Sequence, residues 1–180
     1  MITIRNEAPA DHVGIRTLTV GAFGNSEFGH NSEAELIDGL RSRSVHQLSL
    51  VACSGAEIVG HILFTPVTIR TSEKGIGGVG LAPMSVAPLH QRMGVGSLLI
   101  NTGVDRLFEE QCPFCVVLGH PDYYTRFGFL PAMQYAISHG FAGIPQDVFF
   151  IRFNPTVKLE QMPGGRAYYD TEFGDQHIGT

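Results

Sequence analysis

An α/β fold with a mixed, mainly antiparallel sheet flanked by helices is what this 180-residue chain predicts. Three observations predict it. Apolar runs with a period of two mark strands, runs with a helical period alternate with them, and a glycine-bearing loop joins one strand to the longest helical pattern.

The elements follow in order. Ile2 and Ile4 alternate with polar neighbours as a strand, and Pro9-Ala10-Asp11 then opens a helix through Val13, Ile15, Leu18, Val20, Ala22 and Phe23. A glycine-rich gap from Gly24 to His30 reads as a loop. It leads to a second short helix through Ala34, Leu36, Ile37 and Leu40, with Asn31 or Ser32 as its cap. Leu48 to Cys53, a Ser54-Gly55 turn and Glu57 to Phe64, running on toward Val67 and Ile69, form an antiparallel hairpin.

After the polar turn Ser72 to Gly75, Val79 to Val86 is a further strand, and a helix runs from about Gly96 to Gln111. Phe114 to Leu118 is apolar on both faces, which suits a central strand. Asp122 to Phe127 reads as a short helix with an aromatic face, ended by Gly128. Val148 to Phe153 is the last clear strand. Gln161 to Thr180 shows no period, so residues 1–155 are expected to form the domain and 156–180 an extension packed on it.

Composition excludes several classes. Hydrophobic residues make up 43% and charged residues 16%, which suits a packed core rather than disorder. A net charge of -5, with two lysines among twelve basic residues, offers no stripe for a nucleic-acid backbone. No apolar run reaches the 18 or so residues that cross a bilayer, and Met1 to Arg5 is charged too soon for a signal peptide, so a cytoplasmic protein is expected. Cys112-Pro113-Phe114-Cys115 has the spacing of a redox pair or half a zinc site. No second pair completes four ligands, and the histidines, His61 and His90 among them, show no ligand spacing, so no metal is expected.

Two glycine motifs remain. Gly75-Ile76-Gly77-Gly78-Val79-Gly80 matches the dinucleotide pattern by letters, but a polar turn precedes it and a Pro83-containing strand follows. A flexible connector is the expected reading. Gln91-Arg92-Met93-Gly94-Val95-Gly96-Ser97 is different, because it lies between a strand and an amphipathic helix whose Leu98, Leu99, Ile100, Val104 and Leu107 should pack on a sheet. Helix-start amides lack intrahelical acceptors, so such a loop is a concave donor surface suited to diphosphate.

That Gln-x-x-Gly-x-Gly loop, the apolar strand after its helix, and Tyr124 followed four residues later by Gly128-Phe129 resemble the GNAT superfamily of acetyl-CoA-dependent N-acetyltransferases. The resemblance covers roughly residues 1–155. Leu118-Gly119-His120-Pro121 with Tyr123-Tyr124 looks like a bacterial subgroup of that superfamily.

The resemblance implies direct acetyl transfer from acetyl-CoA to an amine, with the amides of Arg92, Met93, Gly94, Val95, Gly96 and Ser97 holding the diphosphate, aided by the Arg92 side chain and Gln91. Pro83 cannot donate to a ladder, so a bulge or splayed edge is expected there. The backbone of Met84, Ser85 and Val86 would then bind the pantetheine arm. Tyr124 is implied as the proton donor to the departing thiolate. Some members carry a Glu on the strand before the loop, whereas residues 81–86 here are Leu, Ala, Pro, Met, Ser and Val. His120 is the candidate base, and Glu27 is placed to hold a cationic acceptor. The expected partner is a small-molecule or protein amine, with a homodimer left open and neither nucleic acid nor membrane involved. The alternative reading is a non-catalytic acyl-CoA-binding or regulatory module.

Overall fold

The computed structural model describes residues 1–24, 32–158, 162 and 164–174. The fold is α/β with mixed strand pairing that is mostly antiparallel. It divides into two units, one of Met1–Phe64 and Ala82–Arg106, the other of Thr65–Leu81 and Leu107–Thr180.

In the first unit, β1 (Ile2–Asn6) pairs antiparallel with β2 (Leu48–Ser54), and β2 pairs antiparallel with β3 (Glu57–Arg70). The expected hairpin is present, with a register shift at Ala52/Cys53. Helix α1 (His12–Phe23) follows a 3-10 turn over Pro9–Asp11. Asp11 builds that entry. Its carboxylate accepts from the Ala8 amide at 2.8 Å and from both Arg5 guanidinium nitrogens at 2.6 and 2.9 Å. Helix α2 (Glu33–Ser42) has Ser32 at its cap position, without a side-chain cap bond. The gap between α1 and α2 falls mainly outside the described residues, and so does Asn31.

β4 (Gly75–Val86) passes through both units and leads to α3 (Val95–Glu109). Leu99, Ile100, Val104 and Leu107 are buried as expected, but Leu98 is not: it is 40% exposed, because its position turns it away from the stripe that meets β3. Two glycines set how closely α3 and β3 approach. A Cβ at Gly60 would meet Val95 at 2.9 Å and Leu99 at 3.0 Å, and one at Gly103 would meet Phe64 Cζ at 2.5 Å.

In the second unit, β5 (Phe114–Leu118) lies between β4, which it pairs in parallel, and β8 (Phe149–Phe153), which it pairs antiparallel. It is central, as its two apolar faces implied. The connector reading of residues 75–80 is corrected: these residues are strand. Their glycines serve packing, since a Cβ at Gly78 would lie 2.6 Å from the Phe114 ring and one at Gly80 would lie 2.9 Å from Val67.

The short helix becomes a single α turn, α4 (Pro121–Tyr124), continued by a 3-10 turn to Phe127 and ended at Gly128 with φ 78°. Three strands had no legible period: β6 (Leu130–Pro131), β7 (Ile137–His139) and β9 (Gly165–Tyr168). Their brevity hides them from a two-residue pattern. β9 pairs antiparallel with residues 68–70 of β3 and in parallel with β7. Val67, Ile69, Phe114, Val116, Phe149, Ile151 and Ala167 form the core of this unit.

Candidate functional site

The glycine loop is built from both of its ends. On the strand side, the Ala87 amide donates to Val59 O at 2.9 Å, a 3-10 turn covers Pro88–His90, and the Gln91 side-chain amide donates to Val86 O at 3.1 Å. Gln91 thus turns back onto the strand end. On the helix side, Leu98 N–H donates to Gly94 O, while Val95 and Leu99 anchor the first turn of α3 against Gly60.

Between these anchors the backbone reverses twice through left-handed conformations, at Arg92 (φ 60°) and Gly94 (φ 86°). Among the described residues none accepts a hydrogen bond from the amides of 92 to 97, which is what the start of a helix leaves unsatisfied. Gln91, Arg92, Met93 and Gly94 are exposed, Met93 at 71%. The α3 dipole adds partial positive charge at the same end, so the loop can hold an anion through its main chain. Gly94 is also open in space, for a Cβ there would meet nothing within 4 Å.

Met84, Ser85 and Val86 lie at the end of β4 just before the loop. Ser85 is buried, and its hydroxyl shares a 3.3 Å hydrogen bond with Thr19 of α1. Its side chain is therefore occupied, and only its backbone can serve a ligand. The parallel ladder between β4 and β5 runs over Val79↔Cys115 and Gly80↔Val116 and ends before Pro83, which has no N–H to extend it.

Tyr124 and His120 belong to the second unit. The His120 carbonyl accepts from the Tyr123 and Tyr124 amides at 3.1 and 3.2 Å, which closes α4, with Pro121 at its first position. The His120 side chain is exposed and makes no hydrogen bond among the described residues. The Tyr124 ring stands edge-on to Tyr123 at 5.1 Å and to Phe129 at 5.9 Å. Burial, followed by the neighbouring Tyr123 and Cys115, pushes its phenol well above the ordinary range, so it stays protonated at neutral pH. Tyr123 packs instead on Phe127, with the Arg126 guanidinium 5.7 Å from its ring centre. Glu27 lies outside the described residues.

One cluster escaped the sequence. Glu7 accepts from Arg41 Nε at 2.6 Å, from Ser49 Oγ, and from the Nε2 atoms of His61 at 3.2 Å and His12 at 3.1 Å. Burial alone would raise the Glu7 carboxyl, but hydrogen bonds from His61, Arg41 and Ser49 outweigh it and hold the group below the usual carboxylate range. His61 is fully buried, and that burial keeps it neutral by drawing its pKa down. A cavity of about 360 Å³ adjoins the cluster, with Asn6, His46 and Gln47 also in its wall. Positions 7, 41, 49 and 61 share no spacing, and the only sequence signal was an ionisable residue inside the apolar run Val59 to Phe64.

Cys112 is a free thiol donating to Phe114 O, and Cys115 is fully buried in β5, where burial pushes its thiol well up. Cys115 is part of the strand, and Cys112 lies two residues before it. Among the described residues no group of three or more His, Cys, Asp or Glu is arranged to hold a metal, and no helix is long and apolar enough to cross a membrane.

Comparison with known proteins bears on the fold and the family. The profile of the acetyltransferase (GNAT) domain matches residues 3–132. YjhQ of Escherichia coli K12, named an uncharacterized N-acetyltransferase, is 42% identical over 106 residues, and the match spans 58% of this chain and 59% of that protein. A GNAT family acetyltransferase from Brucella melitensis, solved in complex with acetyl-CoA, is 33% identical with a TM-score of 0.79, covering 97% of this chain and 99% of that one. The GNAT family N-acetyltransferase YhbS of Escherichia coli, solved in complex with CoA, is 28% identical with a TM-score of 0.85, covering 96% and 91%. From the fold and these matches together, the chain belongs to the GNAT acetyltransferase family.

Proposed function

We propose that this protein is an N-acetyltransferase that moves the acetyl group of acetyl-CoA directly to an amine. The observation that carries the reading is the loop at 92–97, six successive main-chain amides without an acceptor among the described residues, at the start of a fifteen-residue helix. The two neighbours solved with acetyl-CoA and CoA support the same cosubstrate. In this reading the amides of Arg92 to Ser97 hold the diphosphate and Arg92 adds charge. Gln91 fixes the loop to Val86 rather than reaching for the ligand, and the backbone of Met84 to Val86 receives the pantetheine arm.

The chemistry is amine attack on the thioester carbonyl, collapse of the tetrahedral intermediate, and loss of CoA as a thiolate that takes a proton. Tyr124 supplies that proton: its phenol is held protonated, and because burial lifts it further above a thiol near pKa 8.5, the transfer runs uphill and rests on the position of the hydroxyl rather than on matched acidity. The amine must first lose its own proton, which costs about 4.6 kcal/mol at pH 7 for an alkylammonium near pKa 10.4. His120 is the proposed base, acting directly or through water, because residues 81–86 hold no carboxylate. The cytoplasm is the proposed compartment, and the acceptor is a small-molecule or protein amine.

Purified protein incubated with acetyl-CoA and a panel of chemically diverse amines should release free CoA thiol with at least one acceptor. CoA binding without turnover across the whole panel would instead favour an acyl-CoA-binding module.

A further inference from the structure

We propose that Gly119 is a positioning residue for Tyr124, its bare Cα forming the seat that fixes the phenol ring. The proposal rests on the reading of Tyr124 as proton donor. Gly119 lies between the end of β5 and the single turn α4. A Cβ built on it would stand 2.8 Å from Tyr124 Cδ2, 3.3 Å from Cζ, and nearer still to Cε2. Ordinary carbon contact begins near 3.5 Å, so any side chain at 119 overlaps the ring where it now lies.

Two aromatic neighbours limit how the ring can yield. Tyr123 meets it edge-on from one side and the fully buried Phe129 from another. Nor can the seat retreat. The Gly119 amide donates to Val148 O at 2.9 Å, which holds this stretch beside the strand that follows Val148. The two bonds into the His120 carbonyl, with Pro121 opening the turn, return the chain so that Tyr124, five residues after Gly119, folds back over it. Leu-Gly-His-Pro is thus a mount: a strand end, a seat, a carbonyl cap and a helix-starting proline.

The reason for glycine here is space and not backbone freedom. Gly55, Gly94, Gly128, Gly143 and Gly174 occupy left-handed conformations, and Gly119 does not. Alanine can therefore adopt the same backbone, and the substitution reports on the ring alone.

The test is a double-mutant cycle of Gly119→Ala and Tyr124→Phe, read as thiol release with a competent amine. Phenylalanine keeps the ring and removes the hydroxyl, so general damage to the fold acts equally in both backgrounds. Gly119→Ala alone should lower kcat by about 10- to 100-fold, the scale of an ångström-sized misplacement, while KM for acetyl-CoA changes by less than about twofold. In the Tyr124→Phe background the same substitution should cost less than about twofold.

Equal losses in both backgrounds, or Gly119→Ala at wild-type turnover, would overturn the seat. Tyr124→Phe at full turnover would overturn the proton-donor reading itself, and the seat's purpose with it. Should Gly119→Ala fail to fold, the wild-type protein decides by NMR. Nuclear Overhauser contacts between the Gly119 Hα protons and the Tyr124 ring protons are expected, and their absence refutes the packing.

Discussion

Gly94 offers the most direct test of the diphosphate site, because its substitution separates charge from shape. Its φ of 86° penalises any L residue, but a Cβ would meet nothing within 4 Å, so the cost is conformational and not steric. Asparagine tolerates the left-handed region best among non-glycine residues, at a cost of about 1 kcal/mol, and glutamate pays somewhat more. The two differ chiefly in charge. A carboxylate about 5 Å from a diphosphate bearing two negative charges is repelled by about 1.7 kcal/mol at the dielectric of water, and by about 6.6 kcal/mol at an effective value of 20.

Even the lower figure is more than a tenfold loss. In calorimetric titrations with CoA at low salt, Gly94→Asn should bind within about fivefold of wild type, and Gly94→Glu at least tenfold more weakly than Gly94→Asn. The gap between the two should narrow in about 1 M salt, where the Debye length falls to about 3 Å. Equal affinity of the two variants at low salt would show that the diphosphate does not sit on this loop.

Tyr124→Phe should lower kcat by about 100-fold, within the usual range for a general acid, with KM for acetyl-CoA little changed; wild-type kcat would remove it from the mechanism. Glu7→Gln breaks a buried charged cluster and should cost about 3–5 kcal/mol in urea unfolding, visible as a lower midpoint at unchanged slope. Acid should weaken the wild-type fold in two stages. His61 has a folded pKa below its unfolded 6.5, so its contribution is complete above 6.5 and declines as pH falls below it. Glu7, depressed from 4.5, adds a further loss as pH falls below 4.5. In Glu7→Gln the second stage should shrink, and a full-sized second stage there would assign it to other carboxylates. Gly103→Ala forces a methyl into the Phe64 ring and should destabilise by about 1–3 kcal/mol while shifting the start of α3, so a drop in CoA affinity should accompany it.

Much of the fold was written in local patterns. The β2–β3 hairpin, the central β5 and the helix after the loop each carry a period or an apolar run long enough to read, and Gly128 marked the end of the short helical turn before it. What was missed is of another kind. Gly78 and Gly80 read as slack because a packing glycine and a flexible one are the same letter; only Phe114 and Val67, distant in sequence, distinguish them. No sequence pattern announced that the Gln91 side-chain amide would turn onto Val86 O. The Glu7 cluster draws on four separated segments, so no window of sequence contains it.

The placement of β9 bears on how this chain is made. Its four residues hydrogen-bond to β3 on one side and β7 on the other, near the end of the chain and almost a hundred positions after the β3 residues they meet. Until that segment leaves the ribosome, the outer backbone groups of residues 68–70 and 137–139 stay bare, exposing a tacky margin open to other nascent chains. A chain trimmed at residue 155 should therefore aggregate during synthesis, whatever remains of its cosubstrate loop.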